Sequence, residues 1–284
     1  MNHKIWKLKA KPDEQKVFKL GKELGVSKAI CSLLLSRGID TFEKAKTFFR
    51  PQLSMLHDPF LMKDMDKAIN RLVSAIGSKE RIRVYGDYDV DGTTSVAMMY
   101  LFLLKQGFNV KYYIPDRYDE GYGISKKGID FARNNNINLI IALDCGIRAI
   151  EQVDYASKHN IDFIICDHHN PAKKTPKALA ILNPKQIDCS YPFKELSGCG
   201  VAFKLLQALA HTMDLPEGGV LEELDLVAIS IGADLVELRD ENRIMASQGL
   251  KQLKKRQRPG IFALMRAAGI QQAPQSIRDI SFTL

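Results

Sequence analysis

Three aspartates at alternate positions share one short turn of the sequence, at residues 87, 89 and 91. The turn follows a strand-like run at residues 81–85 and precedes an apolar run at 96–104 that is typical of a buried helix. Carboxylates this close together repel one another unless cations lie between them. The stretch therefore predicts a site for a hard divalent metal ion bound through oxygen atoms.

The same D-x-D-x-D-G pattern also opens the calcium-binding loop of an EF-hand. That loop needs a bidentate glutamate at its twelfth position, where this chain has Met98. The flanking pattern is strand then helix, whereas an EF-hand loop lies between two helices, so we reject the EF-hand. A polar turn without a metal remains an alternative for the motif taken alone.

Strand-like and helix-like patterns alternate from residue 81 onwards. Further strand candidates lie at residues 110–115, 139–144, 162–166 and 178–182. Helical patterns between them lie at residues 94–106, 125–134 and 148–159. This alternation predicts an α/β fold, a doubly wound parallel sheet. We expect an N-terminal helical segment at 1–77, the α/β domain at 78–245, and the start of a C-terminal connecting helix at 246–284.

Other groups that bind metals follow the later strand candidates. The third candidate ends in Asp144, and the fourth leads into Asp167, His168 and His169. Because ligands bind at the carboxyl ends of the strands in open α/β sheets, these side chains should gather along one edge. A solvated polar turn remains open for the two histidines. Asp234 lies in an apolar stretch, and on the residues alone a capping or turn aspartate is the better interpretation.

The composition is that of a soluble globular protein, with 45% hydrophobic and 26% charged residues among 284. We expect no membrane partner, because no apolar run reaches the roughly 18 residues of a membrane span. The net charge of +8 favours a polyanionic partner, and basic residues concentrate in residues 1–22 and 251–258. Five cysteines without a CxxC pair indicate a reducing, cytoplasmic location.

The number of candidate ligands favours two metal ions about 3.5–4 Å apart, because one ion needs fewer. Mixed carboxylate and imidazole ligands suit Mn²⁺, with Mg²⁺ as an alternative. Such a pair lowers the pKa of bound water and neutralises charge on a phosphoryl group. The chain has no P-loop and no GxGxxG motif, which argues against nucleotide-driven or dinucleotide chemistry.

Four motifs in order, GDYDVDG (86–92), LDCG (143–146), CDHH (166–169) and GAD (232–234), resemble those of the DHH phosphoesterases. Segments at 56–59, 114–125 and 191–209 are similar to those of the single-strand-specific DNA exonucleases within this family. The resemblance implies that Asp89 and Asp144 bind a first ion. It implies that Asp91, Asp144, His168 and Asp234 bind a second ion, with Asp144 bridging the two.

The resemblance also implies roles beside the metals. His169 would donate a hydrogen bond to the scissile phosphate and, with Asp144, count as catalytic. Asp87 and Asp167 would orient the ligands. Arg117 is a weaker suggestion for a phosphate or strand contact, and the alternative is a surface ion pair with one of the acids at 119 and 120.

The activity that the resemblance implies is 5′→3′ hydrolysis of single-stranded DNA in recombination and repair, with a metal-activated hydroxide as the nucleophile. Implied partners are a single-stranded-DNA-binding protein and a RecQ-type helicase. One alternative is a DHH phosphodiesterase of short oligonucleotides, cyclic dinucleotides or pyrophosphate. A non-enzymatic DHH scaffold ranks last, since it predicts missing ligands and none is missing.

Two parts of these exonucleases are not recognisable in this chain: a second domain with a GGH segment, and an oligonucleotide-binding β-barrel. Both contribute to the grip on single-stranded DNA, whose affinity depends on phosphate contacts and base stacking. We therefore expect the chain to correspond to an N-terminal catalytic core, with weak or absent activity on DNA by itself.

Overall fold

The computed structural model describes residues 7–255, 258–270, 274 and 276–283. Lys4 of the first basic stretch, Arg256 and Gln257 of the second, and the final Leu284 lie outside the described residues. The chain divides into two compact units, Met1–Met55 and Leu56–Leu284. Residues 56–77 thus belong to the second unit and not with the helices that precede them.

The first unit contains α1 (Glu14–Leu24), α2 (Lys28–Leu35) and α3 (Phe42–Phe49). Each helix begins at a residue whose side-chain oxygen accepts hydrogen bonds from the first free amides, namely Asp13, Ser27 and Thr41. Val17, Leu20, Cys31 and Leu34 form its buried core.

The second unit is built on a five-stranded, fully parallel sheet in the order β2-β1-β3-β4-β5. Its strands are β1 (Ile82–Gly86), β2 (Val110–Tyr113), β3 (Leu139–Leu143), β4 (Asp162–Cys166) and β5 (Ala180–Leu182). The predicted doubly wound α/β fold is confirmed, and each strand lies within two residues of its predicted bounds. Apolar runs form the inner strands β3 and β4, which are covered on both faces, whereas the edge strand β2 is largely exposed.

The helices of the second unit are α4 (Met65–Gly77), α5 (Val90–Lys105), α6 (Lys126–Asn134), α7 (Ile150–Ser157), α8 (Gly198–Thr212), α9 (Glu217–Leu221), α10 (Leu224–Ala233), α11 (Asp240–Lys255), α12 (Pro259–Ala267) and α13 (Ile277–Thr283). Within 246–284, the described residues therefore hold the end of α11 and two further helices, α12 and α13. None of the helices in the described part of the chain is long and apolar enough to cross a membrane.

Successive side chains of β1 show how the sheet is covered. Tyr85 belongs to the buried cluster that joins the sheet to α6 and α7. Gly86 faces the opposite way, where a Cβ atom would lie 2.2 Å from Val96 of α5. Helices α5 and α8 cover this second face, and α10 packs on both of them.

The carboxyl ends of four strands are level. Gly86 pairs with Leu143, Leu143 with Cys166, and Cys166 with Leu182. The strand order changes direction between β1 and β3, which is where ligands bind in doubly wound sheets. The register therefore brings the aspartates and histidines that follow β1, β3 and β4 to one place.

Candidate metal centre

The aspartate-rich turn after β1 becomes the start of α5. The side chain of Asp89 caps the helix by accepting a hydrogen bond from the amide of Gly92 at 2.9 Å. Gly92 is required here, because a Cβ atom would lie 2.5 Å from the carbonyl oxygen of Asp87. Asp91 lies in the first turn of α5 and points into the protein, whereas Asp89 is exposed.

Asp91 is buried and is held by three donors. Its carboxylate accepts hydrogen bonds from the amides of Gly198 and Cys199 and from the hydroxyl of Ser230, each at 2.7 Å. Both amides belong to the first turn of α8, whose positive end favours a carboxylate. Burial raises the pKa of Asp91, and His168 and these donors oppose the rise. Its Oδ2 atom, which accepts from Gly198, also faces the Nε2 atom of His168.

Asp144 directly follows β3 in a left-handed conformation, with φ of 57°. Its side chain is buried, and its Oδ1 atom has no hydrogen bond of acceptable geometry among the residues that the structure describes. Burial, together with the charges of Asp91 and Asp89, raises the pKa of Asp144 to about 11. A buried carboxylate among other carboxylates, with a free oxygen, fits a divalent cation.

Gly198 makes room for Asp144. A Cβ atom at Gly198 would lie 2.5 Å from Oδ1 of Asp144 and 2.7 Å from its Cβ atom. The same residue donates its amide to Asp91. The first residue of α8 thus shapes both carboxylates, a role that the sequence analysis missed.

His168 is surrounded by carboxylate oxygens. Its Nε2 atom lies 3.2 Å from Oδ1 of Asp144, 3.6 Å from Oδ2 of Asp234 and 3.8 Å from Oδ2 of Asp91. Ligand atoms of Asp91, His168 and Asp234 all lie within 4.8 Å of one another, and so do those of a second group, Asp144, His168 and His169. These spacings suit atoms arranged around shared cations.

Asp234 ends α10, where its amide still bonds to the carbonyl of Ser230 at 2.9 Å. Burial raises the pKa of its carboxyl, and the charge of Asp91 adds to the rise. The structure thus brings Asp91, Asp144, His168 and Asp234 together. Asp89 lies outside both closely spaced groups in the described part of the chain, although its charge acts on Asp144, and its role as a ligand stays a prediction.

The ring of His169 lies edge-on to that of His168, with 4.7 Å between the centroids, and His169 is oriented by Asp167. Its Nδ1 atom and its amide lie 2.7 and 3.0 Å from Oδ1 of Asp167, whose other oxygen accepts from the amide of Ile147 at 2.9 Å. The hydrogen bond that His169 donates to Asp167 raises the pKa of His169. The Nε2 atom of His169 lies 3.2 Å from the hydroxyl of Tyr122. Tyr122 is a second residue that the sequence analysis missed.

Asp87 and Arg117 lie beside this centre. Asp87 is fully buried, and burial raises its pKa while the amides of Tyr88 and Gly123 oppose the rise. The guanidinium of Arg117 lies over the ring of Tyr88, 5.3 Å from its centroid. The two acids that follow bond elsewhere: the one at 119 with Lys127, and the one at 120 with the hydroxyls at 113 and 125.

Comparison with known proteins shows the family of the chain. A sequence model described as DHH family, N-terminal domain, matches residues 81–231. The chain belongs to the DHH family. The matched region begins at β1 and ends in α10, so it contains Asp91, Asp144 and His168. Asp234 lies three residues beyond its end.

Two curated proteins that are similar to the chain are each named single-stranded-DNA-specific exonuclease RecJ. The one from Bacillus subtilis is 43% identical over 264 residues, which is 93% of this chain and 33% of that protein. The one from Escherichia coli is 34% identical over 263 residues, which is 89% of this chain and 45% of that protein. The chain therefore spans less than half the length of these relatives.

Two solved structures are similar to the chain. One is of exonuclease RecJ bound to manganese, with 31% identity, a TM-score of 0.71, and coverage of 82% of this chain and 57% of that chain. The other is RecJ of Thermus thermophilus in complex with Mn²⁺, with 27% identity, a TM-score of 0.79, and coverage of 96% and 38%.

Proposed function

We propose that the chain is the metal-binding catalytic core of a single-stranded-DNA exonuclease, a phosphodiesterase that acts in the 5′→3′ direction in recombination and repair. The observation that carries the proposal is the convergence of Asp91, Asp144, Asp234 and His168 at the level ends of the strands. The names of the RecJ relatives supply the substrate class.

The residues of the site fit divalent cations. The free oxygen of Asp144 and the oxygen of Asp91 that faces His168 are carboxylate donors, which both Mn²⁺ and Mg²⁺ prefer. The Nε2 atom of His168 adds a nitrogen donor, which favours Mn²⁺ over Mg²⁺. Asp91, Asp144, His168 and Asp234 would hold one ion, and Asp89 with Asp144 a second. When bound, two such ions supply an attacking hydroxide at neutral pH and neutralise the charge of the phosphate.

The protein's own contribution lies in His169 and Asp167. Asp167 accepts a hydrogen bond from Nδ1, which fixes the ring and leaves Nε2 facing Tyr122. The raised pKa of His169 keeps Nε2 protonated to a higher pH than in a free histidine. His169 can then donate a hydrogen bond to a phosphoryl oxygen, which stabilises charge in the transition state.

Arg117 supports the binding of the strand. Its guanidinium stacks on Tyr88, between the first two aspartates of the motif, and it has no carboxylate partner within the described ranges. An arginine in this setting suits a phosphate of the DNA backbone.

The first test is Mn²⁺ binding by calorimetry, on the chain and on its Asp144→Ala variant. We expect two binding events in the chain and the loss of both in the variant, because Asp144 serves both ions. Asp154→Ala, at an exposed position on α7, is the control and should bind as the chain does. Equal Mn²⁺ binding by the chain and the Asp144→Ala variant contradicts the proposed centre.

The second test compares hydrolysis of long 5′-labelled single strands, duplexes and dinucleotides in Mn²⁺. Preference for the long single strand supports the exonuclease, and preference for dinucleotides supports the alternative enzyme of short substrates. A single-stranded-DNA-binding protein and a RecQ-type helicase stay predictions as partners, as does the cytoplasmic location.

A further inference from the structure

A fully buried group of charged and polar side chains connects α8 with the start of α11. Lys204 of α8 donates hydrogen bonds to Oε1 of Glu241 at 3.0 Å and to the carbonyl oxygen of His57 at 2.7 Å. The hydroxyl of Tyr191 donates to the other carboxylate oxygen of Glu241 at 2.6 Å. The side chains of Lys204 and Glu241 have no exposed surface, and neither has Tyr191.

The loop at His57 completes the group. Its amide donates to Oε1 of Glu241 at 3.0 Å, and its Nε2 atom lies 3.0 Å from Oδ1 of Asp240. Glu241 therefore accepts hydrogen bonds from three separate segments. Burying an ion pair rarely adds stability over apolar residues, so an arrangement of this kind suits a need for defined geometry.

The segment whose backbone geometry must be held is the connector between α10 and α11. Asp234 begins this connector, and Glu241 is the second residue of α11. Two residues with φ in the left-handed range flank this segment, Leu235 in the connector with φ of 54° and Asp240 at the start of α11 with φ of 47°. Such backbone is strained for residues other than glycine, and it persists only where the surroundings hold it.

Asn242, next to Glu241, links this connector to the start of α8. Its side-chain amide donates to the carbonyl of Glu237 at 3.1 Å and also to the carbonyl of Glu195. Glu195 lies three residues before Gly198, whose amide holds Asp91. Asn242 thus ties the connector that follows Asp234 to the segment that precedes Gly198.

We propose that Tyr191, Lys204, Glu241 and the adjacent Asn242 form a positioning cluster for the ligand group Asp91–His168–Asp234. The cluster holds the strained connector that carries Asp234 and aligns it with the start of α8. The proposal rests on the metal centre proposed above. It also gives a role to the sequence segments at 56–59 and 191–209, which carry no metal-binding residue.

Tyr191→Phe tests the proposal, because it removes one hydrogen bond to Glu241 and keeps the ring. The matched control is Tyr155→Phe, which removes a tyrosine–carboxylate hydrogen bond of 2.7 Å, to Asp130, on the opposite face of the sheet. Thermal unfolding of each variant is recorded first, and Mn²⁺ calorimetry follows well below the unfolding midpoints. We expect Tyr191→Phe to weaken one of the two Mn²⁺ sites by about tenfold, the lower end of the range for groups bonded directly to metal ligands, because Tyr191 acts through Glu241. Tyr155→Phe should weaken neither site.

The outcomes separate the two proposals. If the unaltered chain binds two ions and Tyr191→Phe binds them equally well, the positioning role is refuted and the metal centre stands. If the unaltered chain binds no Mn²⁺, the metal centre itself fails and the positioning role fails with it. Should Tyr191→Phe not fold, Asn242→Ala replaces it, since that change cuts the link between Glu237 and Glu195 and carries the same expectation.

Discussion

Replacing Gly198 with alanine should damage the metal centre without touching a ligand. The added Cβ atom would lie 2.5 Å from Oδ1 of Asp144 and 2.8 Å from its Cγ atom, closer than real Cβ contacts. Asp144 is buried and packed, so the clash moves either its carboxylate or the start of α8. Moving α8 displaces the amide of Gly198 from Asp91. Either movement displaces a carboxylate, of Asp144 or of Asp91, that would bind the cations.

The magnitude follows from two opposing effects. Overpacking a buried site costs about 1–3 kcal/mol of unfolding free energy. Alanine in a helix contributes about 1 kcal/mol relative to glycine. The net loss of stability should therefore be about 0–2 kcal/mol. The effect on metal affinity should be larger in relative terms, about 10–100-fold, as for other residues that orient metal ligands.

The control for this change lies two residues along the same helix. At Gly200 a Cβ atom would meet Leu196, Met245 and Ser197 no closer than 3.4 Å, which is ordinary contact. Gly200→Ala should keep the Mn²⁺ affinity and slightly raise the midpoint of thermal unfolding. Calorimetry of both variants with Mn²⁺ is the assay. Equal affinities for Gly198→Ala and Gly200→Ala would refute the reasoning about Asp144.

Two further changes separate the other roles in the site. Asp167→Asn should lower the pKa of His169, because the hydrogen bond to that carboxylate raises it. The stabilisation from the pair is present below the ordinary histidine pKa of about 6.5 and is lost as the pH rises through the raised value, so the variant should lose stability on the acid side. NMR titration of His169 checks the pKa, and an unchanged value contradicts the assignment. Arg117→Ala should raise KM for single-stranded DNA while Mn²⁺ affinity stays unchanged, and a fall in Mn²⁺ affinity would speak against a strand contact.

The sheet and most of the metal-binding residues could be predicted because their signals are local. Apolar runs such as residues 139–143 mark strands that are buried on both faces, and the acids that follow them must lie at the carboxyl edge. The start of α5 at Val90, four residues earlier than predicted, arises because Asp89 caps it and brings Asp91 into the first turn.

The remaining features depend on contacts between residues far apart in the chain. Asp91 is held by Gly198, 107 residues away, and by Ser230, 139 residues away. A glycine before an apolar helix, or a serine within one, carries no local sign of such a partner. Asp234 also depends on a distant contact. Its apolar neighbours in the sequence indicate only a turn residue, and the fold brings it beside His168.

The level ends of the strands limit how the chain can change in length. Each added residue extends a strand by about 3.3 Å and turns the next side chain to the other face of the sheet. One insertion in β3, whose Leu143 is in register with Gly86 and Cys166, would carry Asp144 past His168 and point it away. Insertions and deletions should therefore be tolerated in the loops at the amino ends of the strands, whereas the strand lengths must stay constant for the site to exist.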